Sequence, residues 1–207
     1  DHVMSIYRPD SQVYQLNQEG VLRRPDAQLL AVLAQARTLS QWTDGAFDIT
    51  VQPLWRVFSE AASRHALPTQ EQRRAALALT GWRDLAFDAE QVRFARPGMA
   101  LTLNGLAQGY AADMALAALR AHGIRHALLD TGELMARGRK RAHQPWTVGV
   151  RDPRDAQALA ATLHIHGCAV ATSGDYATAF TPDYRHHHIF DPAVGESPRE
   201  LASVTVM

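Results

Sequence analysis

Residues 99–130 read MALTLNGLAQGYAADMALAALRAHGIRHALLD, and this stretch decides the fold class. An apolar run over Met99–Leu103 has the composition of a strand. Gly109 to His122 is Ala-rich, carries Leu116 and Leu119 on one face and meets Gly123, which is a helix stop. Ala127–Asp130 then reads as another strand. Working outward, Asp26 to Ser40 predicts a helix with Asp26 as N-cap and Leu29, Leu30, Leu33 and Ala36 at helical spacing. Thr69-Gln-Glu-Gln has the form of a capping box opening a helix that runs to Gly81. Further strands are expected at Trp146–Val150, Leu163–Ala171, His187–Phe190 and Leu201–Val206. Helices precede most strands instead of alternating with them, so the expectation is an α+β fold with helices packed on a mixed or antiparallel sheet, in one domain over 1–207.

Composition narrows the function classes. Of the 207 residues, 46% are apolar, enough for a sizeable core. Lys and Arg number 21 against 21 Asp and Glu, so there is no cationic surplus for nucleic acid or an anionic membrane. The single cysteine, Cys168, excludes an internal disulfide framework and a Cys-rich zinc site, and reads as a small core residue. No run approaches the ~18 apolar residues of a membrane-spanning helix. The sequence opens on Asp1 and stops within a β-branched stretch, which suggests a domain trimmed at both ends.

Four segments carry polar chemistry. Met4-Ser5-Ile6-Tyr7-Arg8-Pro9-Asp10-Ser11, with Leu16-Asn17, reads blandly as a turn with a half-buried tyrosine. Thr43-Asp44-Gly45-Ala46-Phe47-Asp48-Ile49-Thr50, then Pro53-Leu54-Trp55, reads as an Asp-Gly turn with solvated acids. Leu101–Tyr110 opens through two glycines into a helix N-terminus, a place that can hold a phosphate, although its spacing is neither the Rossmann nor the Walker fingerprint. Ala171-Thr172-Ser173-Gly174-Asp175-Tyr176 is followed by Tyr184 to Gly195 with three adjacent histidines. Strand alternation would let only His186 and His188 act together, and His164 and His166 likewise. Zinc would need three or four convergent ligands, and a histidine metal site is a minor alternative.

In order and separation, these segments resemble the ApbE family, the FAD:protein FMN transferases, over nearly the whole chain from Tyr7 to Thr205. Leu103–Gly109 and Asp130-Thr131-Gly132-Glu133 look like the subgroup that includes the NosX accessory proteins of nitrous oxide reductase maturation. The resemblance implies a chemistry. FAD is split at its pyrophosphate with Mg²⁺, AMP leaves, and FMN is joined to a Thr or Ser of a membrane-anchored redox protein in the periplasm. It also implies roles by position. Tyr7, Ala46, Phe47, Asp48 and Phe190 would line FAD, and His188 would take the proton from the acceptor hydroxyl. Gly105 would lie at the metal, where it has only its carbonyl to offer. Thr102 stands where the family commonly has Asp, and Gln108 where it has Lys or Glu; both can still hydrogen-bond a nucleotide, without charge. The resemblance also implies an N-terminal strand and a C-terminal metal-ligand segment outside this sequence. Two alternatives stay open: an FAD-binding maturation factor without catalysis, and an Mg²⁺-dependent FAD pyrophosphatase.

Overall fold

Asp26 caps its helix as its sequence predicts: the carboxylate accepts from the Gln28 amide at 2.7 Å, and the helix runs Ala27–Trp42 (α2). It follows a short helix, Gln12–Glu19 (α1), and a strand, Val21–Arg23 (β1). Gln52–Ala62 (α3) comes next, with Pro53 in its first turn. Thr69 and Gln72 close the expected capping box at the head of Gln70–Leu77 (α4), which stops four residues before Gly81. A single 3₁₀ turn, Trp82–Asp84, leads to Leu85–Phe87 (β2) and Gln91–Phe94 (β3). The rest comprises Ala107–Ala121 (α5), Ala127–Asp130 (β4), Leu134–Arg137 (β5), Trp146–Arg151 (β6), Leu159–Ile165 (β7), Ala169–Gly174 (β8) and Ser203–Val206 (β9). This computed structural model describes residues 2–207. The fold is α+β, and the strands pair antiparallel.

The chain gathers into two compact units. The first holds residues 1–107 and 180–198. Its sheet has the order β1-β3-β2, with Leu22 opposite Val92 and Phe87 opposite Val92 on the other side. Its core comes from the helices: Leu16 of α1, Leu29 and Leu33 of α2, and Leu54 and Phe58 of α3 are closed off from solvent. Phe58 and Phe190 join Leu54 and Ala76 in one cluster, the two rings 5.2 Å apart.

The second unit holds residues 108–179 and 199–207. One sheet runs β4-β5-β8-β9, and β6 pairs with β7 as a separate hairpin. Ala136, Val148, Ile165 and Val170 form its core, with Cys168 partly buried against them.

Two expected strands are absent, and the hydrogen bonds say why. Met99–Leu103 is deeply buried, but Leu101 spends its backbone on one side chain. Asn17 accepts from the Leu101 amide and donates to its carbonyl, both at 2.8 Å, standing in for a neighbouring strand. His187–Phe190 is irregular because the His187 amide goes to the Ser197 hydroxyl and not to a strand. Leu163–Ala171 divides into β7 and β8 around Gly167, where φ is 67°. α5 starts at Ala107, two residues before the expected Gly109.

Candidate functional site

Within the first unit, the Asp-Gly turn positions the half-buried Phe47. Thr43 closes α2: its hydroxyl donates to the Leu39 carbonyl at 2.8 Å and accepts from the Phe47 amide at 3.0 Å. Asp44 and Gly45 both take positive φ, 48° and 86°; glycine adopts it freely, and a Cβ at Gly45 would stand 3.3 Å from the Trp82 ring nitrogen. Phe47 is then placed so that a Cβ on Gly105 would stand 3.6 Å from its ring, ordinary contact distance. Ala46 beside it is exposed.

Asp48 turns the other way, into the protein. One carboxylate oxygen accepts from the Thr50 amide at 2.7 Å and from its hydroxyl at 2.6 Å; the other accepts from the Trp82 amide at 2.8 Å. The Thr50 hydroxyl in turn accepts from Gly81 at 2.7 Å. Asp48 is only 8% exposed. Its carboxylate therefore pins two loops together, which reading the segment as a turn with solvated acids did not foresee. Asp44, by contrast, is fully exposed, its side chain 98% accessible.

The third motif is tied to the second by the Thr102 amide, which donates to the Ile49 carbonyl at 2.8 Å. Half-buried Thr102 also accepts from the Asn104 amide at 3.3 Å. Gly105 is exposed.

Tyr7 stands 67% exposed on a turn whose backbone is fixed, since the Ser5 hydroxyl accepts from the amides of Tyr7 and Arg8. Arg8 grips Asp10 with two nitrogens, at 3.1 and 2.9 Å, and holds its carboxyl well below the ordinary carboxylate range. An aromatic ring kept in solvent by a braced turn is available to a ligand. Asn17, six residues after Ser11, braces the Leu101 segment as described above.

The histidine run contributes three side chains in three settings. His186 stacks on Phe58, ring centroids 5.9 Å apart, with its Nδ1 3.8 Å from Glu196, which Arg73 also engages. His187 is buried, 2% exposed. His188 is half-buried. Phe190 lies in the core cluster, 7% exposed.

The same unit contains a cleft of about 550 Å³ bounded by Thr43–Ala46 and Asp48, by Thr80–Asp84 and by Asp191–Ala193. It brings the second motif and the Asp-Pro that follows His188 to one cavity, of a size that small-molecule sites commonly have. Arg83 lies over the Trp82 ring at 4.4 Å on its wall. Trp82 and Arg83 were missed by the sequence reading; nothing in Gly81-Trp82-Arg83 marks them before the fold folds Gly81 onto Thr50.

In the second unit, Gln108 donates to the Thr131 carbonyl at 3.2 Å, and Gly132 leaves room for it: a Cβ there would sit 2.8 Å from the amide nitrogen. Asp175, 6% exposed, is gripped by Arg154 through both guanidinium nitrogens, at 2.7 and 2.6 Å. Burial pushes the Glu133 carboxyl up.

Among the described residues no three His, Cys, Asp or Glu side chains gather as a metal cage. Mg²⁺ takes near-octahedral oxygen ligands, and Gly105 supplies at most one carbonyl. These residues do not by themselves fit the ion, and no chemical step is assigned to it.

Residues 1–207 match the ApbE family. The chain is 34% identical to the FAD:protein FMN transferase of Klebsiella pneumoniae over all of its own length and 66% of the relative's, and 32% identical to that of Vibrio cholerae over 99% and 64%. It thus spans just under two thirds of these relatives. Among solved structures, it superposes on the flavinyl transferase ApbE of Pseudomonas stutzeri with a TM-score of 0.82 at 33% identity, covering 99% of this chain and 65% of that one. For the ApbE protein of Thermotoga maritima the TM-score is 0.88 at 30% identity, covering 99% and 68%. A match along the whole chain makes this protein a member of the ApbE family.

Proposed function

We propose that this chain carries FMN transfer from FAD to a hydroxyl of a partner protein, with release of AMP. The observation that supports it most is the cleft that joins Ala46 and Asp48 to Asp191–Ala193, three residues beyond His188. Exposed Tyr7 and half-buried Phe47, both on braced turns, would contact the donor nucleotide. Thr102 and Gln108 would hydrogen-bond it without charge, and Phe190 would support the flavin end from the core. His188 would take the proton of the attacking Thr or Ser hydroxyl, a role suited to an imidazole, which titrates near neutrality. The nucleophilic oxygen forms the new P–O bond as the bond to AMP breaks. Mg²⁺ and Gly105 as its carbonyl contact enter from the family resemblance. So do a membrane-anchored redox acceptor and a periplasmic setting. A narrower kinship to NosX-like proteins rests on Leu103–Gly109 and Asp130–Glu133 alone.

The competing reading is a flavin-binding maturation factor, motivated by the uncharged Thr102 and Gln108. His188→Ala separates the two. The transferase reading expects covalent transfer to fall at least ~100-fold, the scale of a lost general base, with FAD affinity retained. FAD binding without AMP release in the unaltered protein, with Mg²⁺ supplied, would favour the binding factor.

A further inference from the structure

The bonds around the histidine run converge on the one residue given a chemical role. Ser197, 5% exposed, uses its hydroxyl twice on His187: it accepts from the His187 amide at 2.9 Å and donates to the His187 carbonyl at 2.7 Å. The His187 ring is buried, with Nε2 2.9 Å from the Pro198 carbonyl. A carbonyl only accepts, so Nε2 carries a hydrogen, and an amide only donates, so the Nδ1 that faces one accepts through its lone pair. That lone pair faces the Ile189 amide at 3.4 Å. The two peptide planes flanking His188 are thereby held from both sides. The plane before it is fixed through the His187 carbonyl, and the plane after it through the Ile189 amide. Fixing both planes fixes φ and ψ of His188 and so the direction in which its side chain leaves the backbone.

We propose that Ser197 and His187 are positioning residues for His188. The inference rests on the reading of His188 as the base of FMN transfer. It gives the buried imidazole beside His188 a role: the His187 ring is pegged through both of its nitrogens, and with it the backbone on either side of His188. A displacement of about 1 Å at a reacting group is enough to lower a rate ~100-fold without disturbing substrate binding.

The test measures FMN transfer at saturating FAD and Mg²⁺ to a protein substrate of the Vibrio cholerae flavin transferase, together with the FAD dissociation constant. Ser197→Ala is expected to lower the transfer rate about 10- to 100-fold with FAD affinity unchanged within about twofold. Ser197→Thr, which keeps the hydroxyl, should recover most of the loss. In a His188→Ala background, Ser197→Ala should cause no further loss, because its effect passes through His188. A wild-type rate in Ser197→Ala beside an inactive His188→Ala would overturn the positioning role and leave the base standing. Transfer that survives His188→Ala would overturn the base reading and this inference with it. Nitrogen NMR of the unaltered protein supplies a check independent of variant folding: His187 should be the Nε2–H tautomer, and an Nδ1–H tautomer would contradict the lock.

Discussion

The turn at residues 43–50 and the turn that ends β8 at Asp175 both bury an aspartate, and they satisfy it by opposite means. Asp48 is surrounded by neutral donors, two amides and a hydroxyl, and holds one loop to another. Asp175 faces a guanidinium whose side chain is itself 47% exposed, so its partner stays in touch with water. Fixed dipoles lose nothing to salt and have nowhere else to go when the acceptor is removed. A half-exposed arginine is screened and can resolvate. The first turn should therefore be the more brittle, and it is the one that carries Ala46 and Phe47.

Removing the Asp48 carboxylate is expected to have the largest effect. Asp48→Ala leaves the Thr50 hydroxyl and the Thr50 and Trp82 amides short of an acceptor, a loss of about 3 kcal/mol that denaturant unfolding should show equally at low and high salt. A loss that shrinks as salt rises would break the contrast. Asp175→Ala should come next, at about 1 kcal/mol, and added salt should narrow its gap to the unaltered protein. A salt-independent effect as large as that of Asp48→Ala would erase the difference between the turns. The smallest effect is expected at Glu133. Its folded pKa lies above the unfolded value, so the carboxyl adds stability that is fully present below the unfolded pKa and is lost as pH rises through the folded one. Glu133→Gln should thus raise the melting temperature slightly at neutral pH and leave no advantage near pH 3. An advantage that persists unchanged in acid would mean that burial of the charge is not its source.

Where a signal was local, the sequence could be read. Asp26 and Thr69 declare their helices because a cap and its amide partner lie within three residues. The α+β class followed from helix and strand patterns of the same kind. Asp48 was misread because its second partner, Trp82, lies 34 residues away; only Asp48-Ile49-Thr50, the spacing of a side chain that accepts from the amide two residues on, hinted that it turns inward. Met99–Leu103 has strand composition, but Asn17, 84 residues from Leu101, took its hydrogen bonds. For the histidine run, strand alternation paired His186 with His188 and set His187 on the other face. Its division into a stacked, a buried and a half-buried ring depends on Phe58, Glu196, Ser197 and Pro198, none of them identifiable beforehand. Of the site, the motif positions were legible through their order, and the way each is braced was not.

The central claim is that the cleft and His188 belong to a transferase and not to a flavin carrier. The direct measurement is a single-turnover incubation of the protein with FAD, Mg²⁺ and an acceptor domain, reading AMP released and flavin fluorescence retained by the acceptor after denaturation. The account predicts one AMP for each covalently labelled acceptor. FAD recovered intact beside an unlabelled acceptor would contradict it.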